Sequence, residues 1–153
     1  MIEVRAVTAA DVPAVLALVA EVLAEFGLEF GKGSPTDAEL HELPGSYASC
    51  GGAFWIAVRD GALLGTCGVF PVAPTTYELR KMYLCGASRG LGLGKQLLEV
   101  AVAWTREQGG TRMVLDTVEQ MTRAIEFYEA NGFSRDDAQI RGARCTRGYL
   151  RVL

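Results

Sequence analysis

The sequence predicts an α/β chain built on a mixed sheet, with elements in the order β-α-α-β-β-β-α-β-α-β-β. Three observations predict it. Residues 54–84 hold three consecutive strand-like runs, which read as an antiparallel meander. Two later segments, from Leu93 and from Met121, carry apolar residues at helical spacing and stop at Gly109-Gly110 and Asn131-Gly132. Short apolar runs at Met113–Asp116, from Phe133 onward and at Cys145–Val152 follow or alternate with those helices.

Each element has its own signal. Ile2 to Val7 alternates apolar and polar residues, as a half-buried strand does. Pro13 fits only a first helical turn, so Asp11 is the effective start of the first helix. Val12, Val15, Leu16, Val19, Val22, Leu23 and Phe26 then follow at helical spacing, and Gly27 ends the run. Ser34-Pro35 with Asp37 predicts a second short helix through about Leu43, and Gly45 to Gly52 reads as a loop. Phe54–Arg59 and Ala62–Pro71 are strands joined by Asp60-Gly61, a tight hairpin signal, and Thr75–Leu84 is the third strand. In the next helix Leu93, Leu97, Val100, Ala101 and Trp104 share a face.

Composition narrows the function classes. The chain has 153 residues, half of them apolar and 22% charged, which suits one domain over residues 1–153 with a sizeable core. A net charge of −3 argues against nucleic-acid binding. The longest apolar run, Val12–Ala20, has nine residues and contains Pro13, too short to cross a bilayer. No basic stretch precedes an apolar run at the start, so no signal peptide, no membrane partner and a cytoplasmic location are expected. Cys50, Cys67, Cys85 and Cys145 are widely spaced and His41 stands alone, so neither a zinc site nor a disulfide framework is expected.

The chemistry concentrates in Arg89-Gly90-Leu91-Gly92-Leu93-Gly94-Lys95, between a strand and a helix. Glycines there let a ligand approach the backbone, and the helix start adds partial positive charge. Arg89 and Lys95 add full charges, so the turn suits an anion, most simply a diphosphate. The dinucleotide pattern G-x-G-x-x-G fails because Lys95 occupies its last position. The Walker pattern fails at Arg89 and Gln96. What fits is R-x-x-G-x-G, on Arg89, Gly92 and Gly94.

That pattern, between a strand and an amphipathic helix, resembles the acetyl-CoA signature of the GNAT superfamily of N-acetyltransferases. Ala124-Ile-Glu-Phe-Tyr-Glu-Ala-Asn-Gly-Phe133 is similar to the family's second signature, A-I-x-F-Y-E-x-x-G-F. The chain departs from the pattern at Gly86, where the family often has Pro, and at Met121, where it often has Asn. The resemblance implies a mostly antiparallel central sheet flanked by helices, and acetyl-CoA as co-substrate. It implies that the backbone of Met82, Tyr83 and Leu84 serves the thioester arm, with the Leu84 amide facing the carbonyl. Arg89, Gly90, Leu91, Gly92, Leu93, Gly94 and Lys95 would hold the pyrophosphate. Tyr128 is then the candidate acid for the departing sulfur. Glu78 is the first candidate base, placed on one face with Leu84 by strand alternation, and Asp116 is the second. Asp116 is read more readily as a structural hydrogen-bond acceptor.

The expected acceptor is an amine on a small molecule or peptide. Residues 1–42 carry eight acids and two bases, and an acidic mouth made by Glu21, Glu25, Glu29, Asp37, Glu39 and Glu42 would steer a cationic amine. Arg135, Arg141, Arg144, Arg147 and Arg151 favour instead an acceptor that bears a carboxylate. His41 reads as a surface residue. A non-catalytic acyl-CoA-binding sensor remains the alternative to the enzyme. The apolar end, Tyr149, Leu150, Val152 and Leu153, leaves a homodimer open.

Overall fold

A computed structural model describes residues 1–153. Seven strands form one sheet in the order β1-β2-β3-β4-β5-β7-β6. They are β1 (Glu3–Ala6), β2 (Ala53–Arg59), β3 (Ala62–Ala73), β4 (Thr76–Leu84), β5 (Arg112–Thr117), β6 (Ser134–Arg135) and β7 (Arg147–Val152). The helices are α1 (Val12–Glu25), α2 (Gly45–Ala48), α3 (Leu93–Glu107) and α4 (Thr122–Ala130). Only the β4–β5 pair is parallel, so the sheet is mixed and mostly antiparallel.

Most of the expected elements form, with three local differences. Pro35–Glu42 winds as 3-10 turns rather than an α-helix, and α2 forms inside the expected loop. The strand after Phe133 is cut to two residues. There the Asp136 carboxylate accepts the Ala138 N–H and bends the chain into a 3-10 turn. The hairpin between β2 and β3 forms as Asp60-Gly61 predicts, with φ of 51° and 79°.

The two faces of the sheet carry separate cores. In β2, Trp55 and Ala57 pack under α3 and α4 with Leu97, Leu98 and Tyr128. Phe54 and Ile56, alternating with them, pack under α1 with Val15, Val19, Leu23 and Tyr47. No helix is long and apolar enough to cross a membrane.

One irregularity positions the site. Thr66 pairs with Tyr83 and Gly68 with Arg80, so Lys81 and Met82 together oppose Cys67. This is a β-bulge, and it takes Lys81 to φ 54°. The Thr66 hydroxyl donates to the Lys81 carbonyl at 2.6 Å and holds the bulge closed. The extra residue reverses the alternation of β4. Leu79 packs toward α3 before the bulge, and Met82 and Leu84 do so after it, while Tyr83 packs on the α1 side. The expectation that Glu78 and Leu84 share a face is therefore corrected: the bulge between them puts their side chains on opposite faces.

Tyr47 is fully buried, with its ring edge-on to Phe54 at 5.3 Å and Phe70 at 5.4 Å. Its hydroxyl has no hydrogen-bond partner. Tyr47→Phe keeps the ring and removes the unpaired group, so it should stabilise the fold by about 1 kcal/mol. The midpoint of urea unfolding checks this; a lower midpoint would mean that the hydroxyl is bonded.

Candidate active site

β4 and β5 pair only from Thr76–Glu78 against Arg112–Val114. Beyond Glu78 the strands part, while β5 stays paired with β7 through Thr117. The opening leaves one edge of β4 unpaired inside the fold. Cys85 N–H donates to Leu64 O of β3. By alternation, the Leu84 N–H faces the opening and the Tyr83 N–H faces β3. Tyr83 thus contributes its side chain rather than its amide.

Two cavities flank the opening. One, of about 630 Å³, runs from the opening to the glycine turn between α3 and α4. The other, of about 350 Å³, lies under α1 and the 3-10 segment. Met82, Tyr83, Met121 and Tyr128 line both. Met121, where the resembling family often has Asn, makes this junction more apolar.

At the far end of the larger cavity, the N–H groups of residues 90–95 donate to no acceptor in the protein. Gly90 and Gly92 have φ of 84° and 75°, and a Cβ on either would meet nothing within 4 Å. These left-handed turns aim the amides into open space at the start of α3. Gly94 has an ordinary φ, and a Cβ there would touch Phe127 and Leu84 at normal contact distance. Arg89, Gly90, Gly92, Leu93, Gly94 and Lys95 line the cavity, as do Met82, Tyr83 and Leu84. Leu91 does not: its side chain is 56% exposed. The Arg89 guanidinium is held by Glu25 at 2.6 Å and by the Leu84 carbonyl at 3.1 Å, so it braces the turn against α1. Arg123, Thr122 and Asn131 of the α4 segment also line this cavity. The motif had pointed only to the loop side.

The smaller cavity gathers the ionisable groups. Glu78 is buried, and both its oxygens are bonded, by Arg80 Nε at 2.5 Å and Arg141 Nη1 at 3.3 Å. Asp116 Oδ2 accepts the N–H groups of Arg141 at 2.7 Å and Gly142 at 2.8 Å, which anchors that loop; the Cys145 thiol lies beside the carboxylate, and no N–H or O–H of the protein bonds Oδ1. Tyr128 is buried among Phe127, Phe133 and Tyr149, and no hydrogen bond from the protein engages its hydroxyl. Burial, with Tyr83 beside it, holds that phenol well above its ordinary pKa, so it stays protonated. Burial also pushes the Tyr83 phenol up, to about 12. Tyr83 is thus a second protonated hydroxyl at the junction of the cavities.

Sequence patterns gave no hint of the cluster beneath the cavity. Asp37 is fully buried and bonds Lys81 Nζ, Arg144 at 2.9 and 3.2 Å, and the Gly31 N–H at 2.8 Å. Burial raises its pKa, but the bonds from Arg144 and Lys81 outweigh that and hold it below the ordinary carboxylate value. The signal would have been an acid in a 3-10 segment opposite a lysine at a strand bulge, visible only once the bulge is known.

The expected acidic mouth does not assemble. Among its six acids only Glu39 lines the smaller cavity. Glu25 pairs with Arg89, Asp37 is neutralised in the interior, and Glu21, Glu29 and Glu42 are exposed away from the cavity lining. Arg80, Lys81, Arg141 and Arg144 line it instead. His41 lies exposed, edge-on to Phe30 at 5.9 Å.

A parted parallel strand pair between two joined cavities, one ending in a glycine-rich anion cradle, defines a fold suited to bringing two ligands together. The sequence model of the acetyltransferase (GNAT) family matches residues 19–133. The chain is 36% identical over 137 residues to the uncharacterized N-acetyltransferase YjgM of Escherichia coli (strain K12), covering 87% of this chain and 82% of that one. It is 33% identical over 102 residues to the mouse probable N-acetyltransferase family 8 member 5, 63% of this chain but only 45% of the mouse protein. The fold matches a GNAT-family acetyltransferase from Staphylococcus aureus Mu50 with a TM-score of 0.92 at 23% identity, covering 100% and 99% of the two chains. It also matches the PaiA N-acetyltransferase of Thermoplasma acidophilum, solved with coenzyme A, with a TM-score of 0.80 at 21% identity, covering 100% and 99%. The chain belongs to the GNAT family of acetyltransferases.

Proposed function

We propose that this chain transfers an acetyl group from acetyl-CoA to a primary amine on a small molecule or peptide, with both bound at once. The observation that carries the reading is the pair of cavities joined at Met82, Tyr83, Met121 and Tyr128. The larger cavity fits acetyl-CoA: free amides at residues 90–95 and the charges of Lys95 and Arg123 suit a pyrophosphate. The parted strands give the thioester arm an edge to lie against. The Thermoplasma relative, with its coenzyme A, supports the same reading. Bound there, acetyl-CoA supplies an activated acyl carbon and a thiol leaving group.

The chain's own groups then divide the work. The Leu84 N–H faces the opening and polarises the carbonyl. Tyr128, kept protonated by burial, donates its proton to the departing sulfur. Glu78 takes the proton that the amine gives up, and Arg80 and Arg141 fix its position. Each of its oxygens keeps a second lone pair for that bond. Asp116 offers a second route, because its Oδ1 is free within the same cavity.

Thermal unfolding with acetyl-CoA, followed by thiol release with an amine panel, tests this. At a hundredfold excess over Kd, acetyl-CoA should raise Tm by roughly 5–10 °C, with ATP and NAD giving no comparable rise. Thiol release that depends on an amine supports the transferase. A Tm rise without release from any amine would leave a CoA-binding module and overturn catalysis.

A further inference from the structure

We propose that the smaller cavity selects acceptors carrying a carboxylate beside the amine, amino acids or close analogues, and that Arg141, with Arg80, reads the carboxylate. The proposal rests on the transferase reading and narrows its acceptor. With Asp37 behind the wall included, the cavity's four cations face four carboxylates, so it is no simple anion sink. What distinguishes the two signs is how fully each is used. Asp37 and Glu78 have both oxygens bonded, each shared between two cations. Asp116 spends one oxygen on two backbone N–H groups, and Glu39, at the rim, gives one oxygen to Arg80 at 3.5 Å.

The arginines keep donors in hand. Arg80 uses Nε on Glu78 and Nη1 on Glu39 at 3.5 Å; its guanidinium also lies beside the buried Tyr47 hydroxyl, and its Nη2 makes no bond of hydrogen-bond geometry. Its cation lies 4.1 Å above the Phe70 ring, which fixes its plane. Arg141 engages side chain and carbonyl only through Nη1, at 3.3 Å to both Glu78 and the Gln139 carbonyl. Its Nε and Nη2 are free, and its side chain is 42% exposed.

A ligand in this cavity therefore meets spare N–H donors on a guanidinium fork, and a carboxylate is the group that satisfies them in pairs. A polyamine brings only further donors and would leave the spare guanidinium N–H groups unsatisfied. The free Asp116 Oδ1 gives the ligand's amine a partner in the same cavity. About 350 Å³ holds one small zwitterion.

The test compares the free L-amino acids with their carboxamides, in wild type and in Arg141→Gln. Thiol release gives kcat/KM for each matched pair, and the Tm of the CoA-loaded protein reports binding separately. The acids should exceed their amides by roughly 10- to 100-fold, the worth of charge-assisted bonds. In Arg141→Gln that ratio should collapse toward one, and Arg141→Lys should restore part of it. The ratio is insensitive to any loss that acid and amide share, including a disturbed Glu78. Equal use of acids and amides by the wild type, or an unchanged ratio in Arg141→Gln, overturns the proposal. If simple amines turn over and acids neither turn over nor bind, the carboxylate reading falls while the transferase stands. If nothing releases thiol, the transferase falls, and the Tm difference between acid and amide still decides what Arg141 reads.

Discussion

Tyr128→Phe should lower turnover by about 100- to 10 000-fold while leaving acetyl-CoA binding and stability in place. The substitution keeps the ring, and with it the contacts to Phe127, Phe133 and Tyr149 at 5.7 to 6.4 Å. It removes only a hydroxyl that no protein group bonds. Because burial keeps the phenol protonated, its loss removes a donor at every working pH, and the defect should not be recovered by raising the pH. Steady-state kinetics with the acetyl-CoA Tm shift beside them check this. Tyr83→Phe is the control that matters, since its hydroxyl lines the same junction and is also held protonated. A large loss in Tyr83→Phe with little in Tyr128→Phe would move the acid role to Tyr83.

Asp37→Ala should destabilise the fold by about 3–5 kcal/mol, because it leaves Lys81 and Arg144 without their counter-ion in the interior. For a domain of this size that is a fall in Tm of roughly 6–20 °C. The acid limb carries a second signature. The folded-state pKa of Asp37 lies below the unfolded value, so its stabilising contribution is present above the ordinary carboxylate pKa. That contribution is lost as pH falls through the folded value. Unfolding midpoints of wild type and Asp37→Ala should therefore draw together as the pH drops through the carboxylate range. A gap that stays constant with pH would assign the loss to the missing Gly31 contact and not to charge.

How far the sequence could be read depends on the range over which its signals act. Asp60-Gly61, Gly27 and the alternation of Ile2 to Val7 are local, and each produced the element it announced. The glycine turn is also local: Gly90 and Gly92 need left-handed backbone, and that need is visible as composition. The acceptor cavity is not local. Asp37, Lys81 and Arg144 come from three separate segments and meet only after the sheet, the bulge and the β7 approach are in place. Charge sums over residues 1–42 pointed to an acidic mouth because they cannot tell a neutralised interior acid from a solvated one. Asp116 lies where its role as a structural acceptor was favoured, bonding two loop amides.

The bulge at Lys81-Met82 makes residue count, more than residue identity, the quantity that keeps the two half-sites in phase. Straightening the bulge with every residue kept would return β4 to plain parity and slip it one place along β3. Every side chain beyond it would change sides: Tyr83 would turn under α3, and Leu84 would turn toward the amine cavity. No single substitution reaches that far, since a substitution changes one group and a frame shift re-addresses all of them. Libraries that vary β4 by substitution alone would therefore explore its chemistry without disturbing this frame. Grafts or loop exchanges that cross residues 80–83 must keep the bulge together with the length before any side chain is chosen.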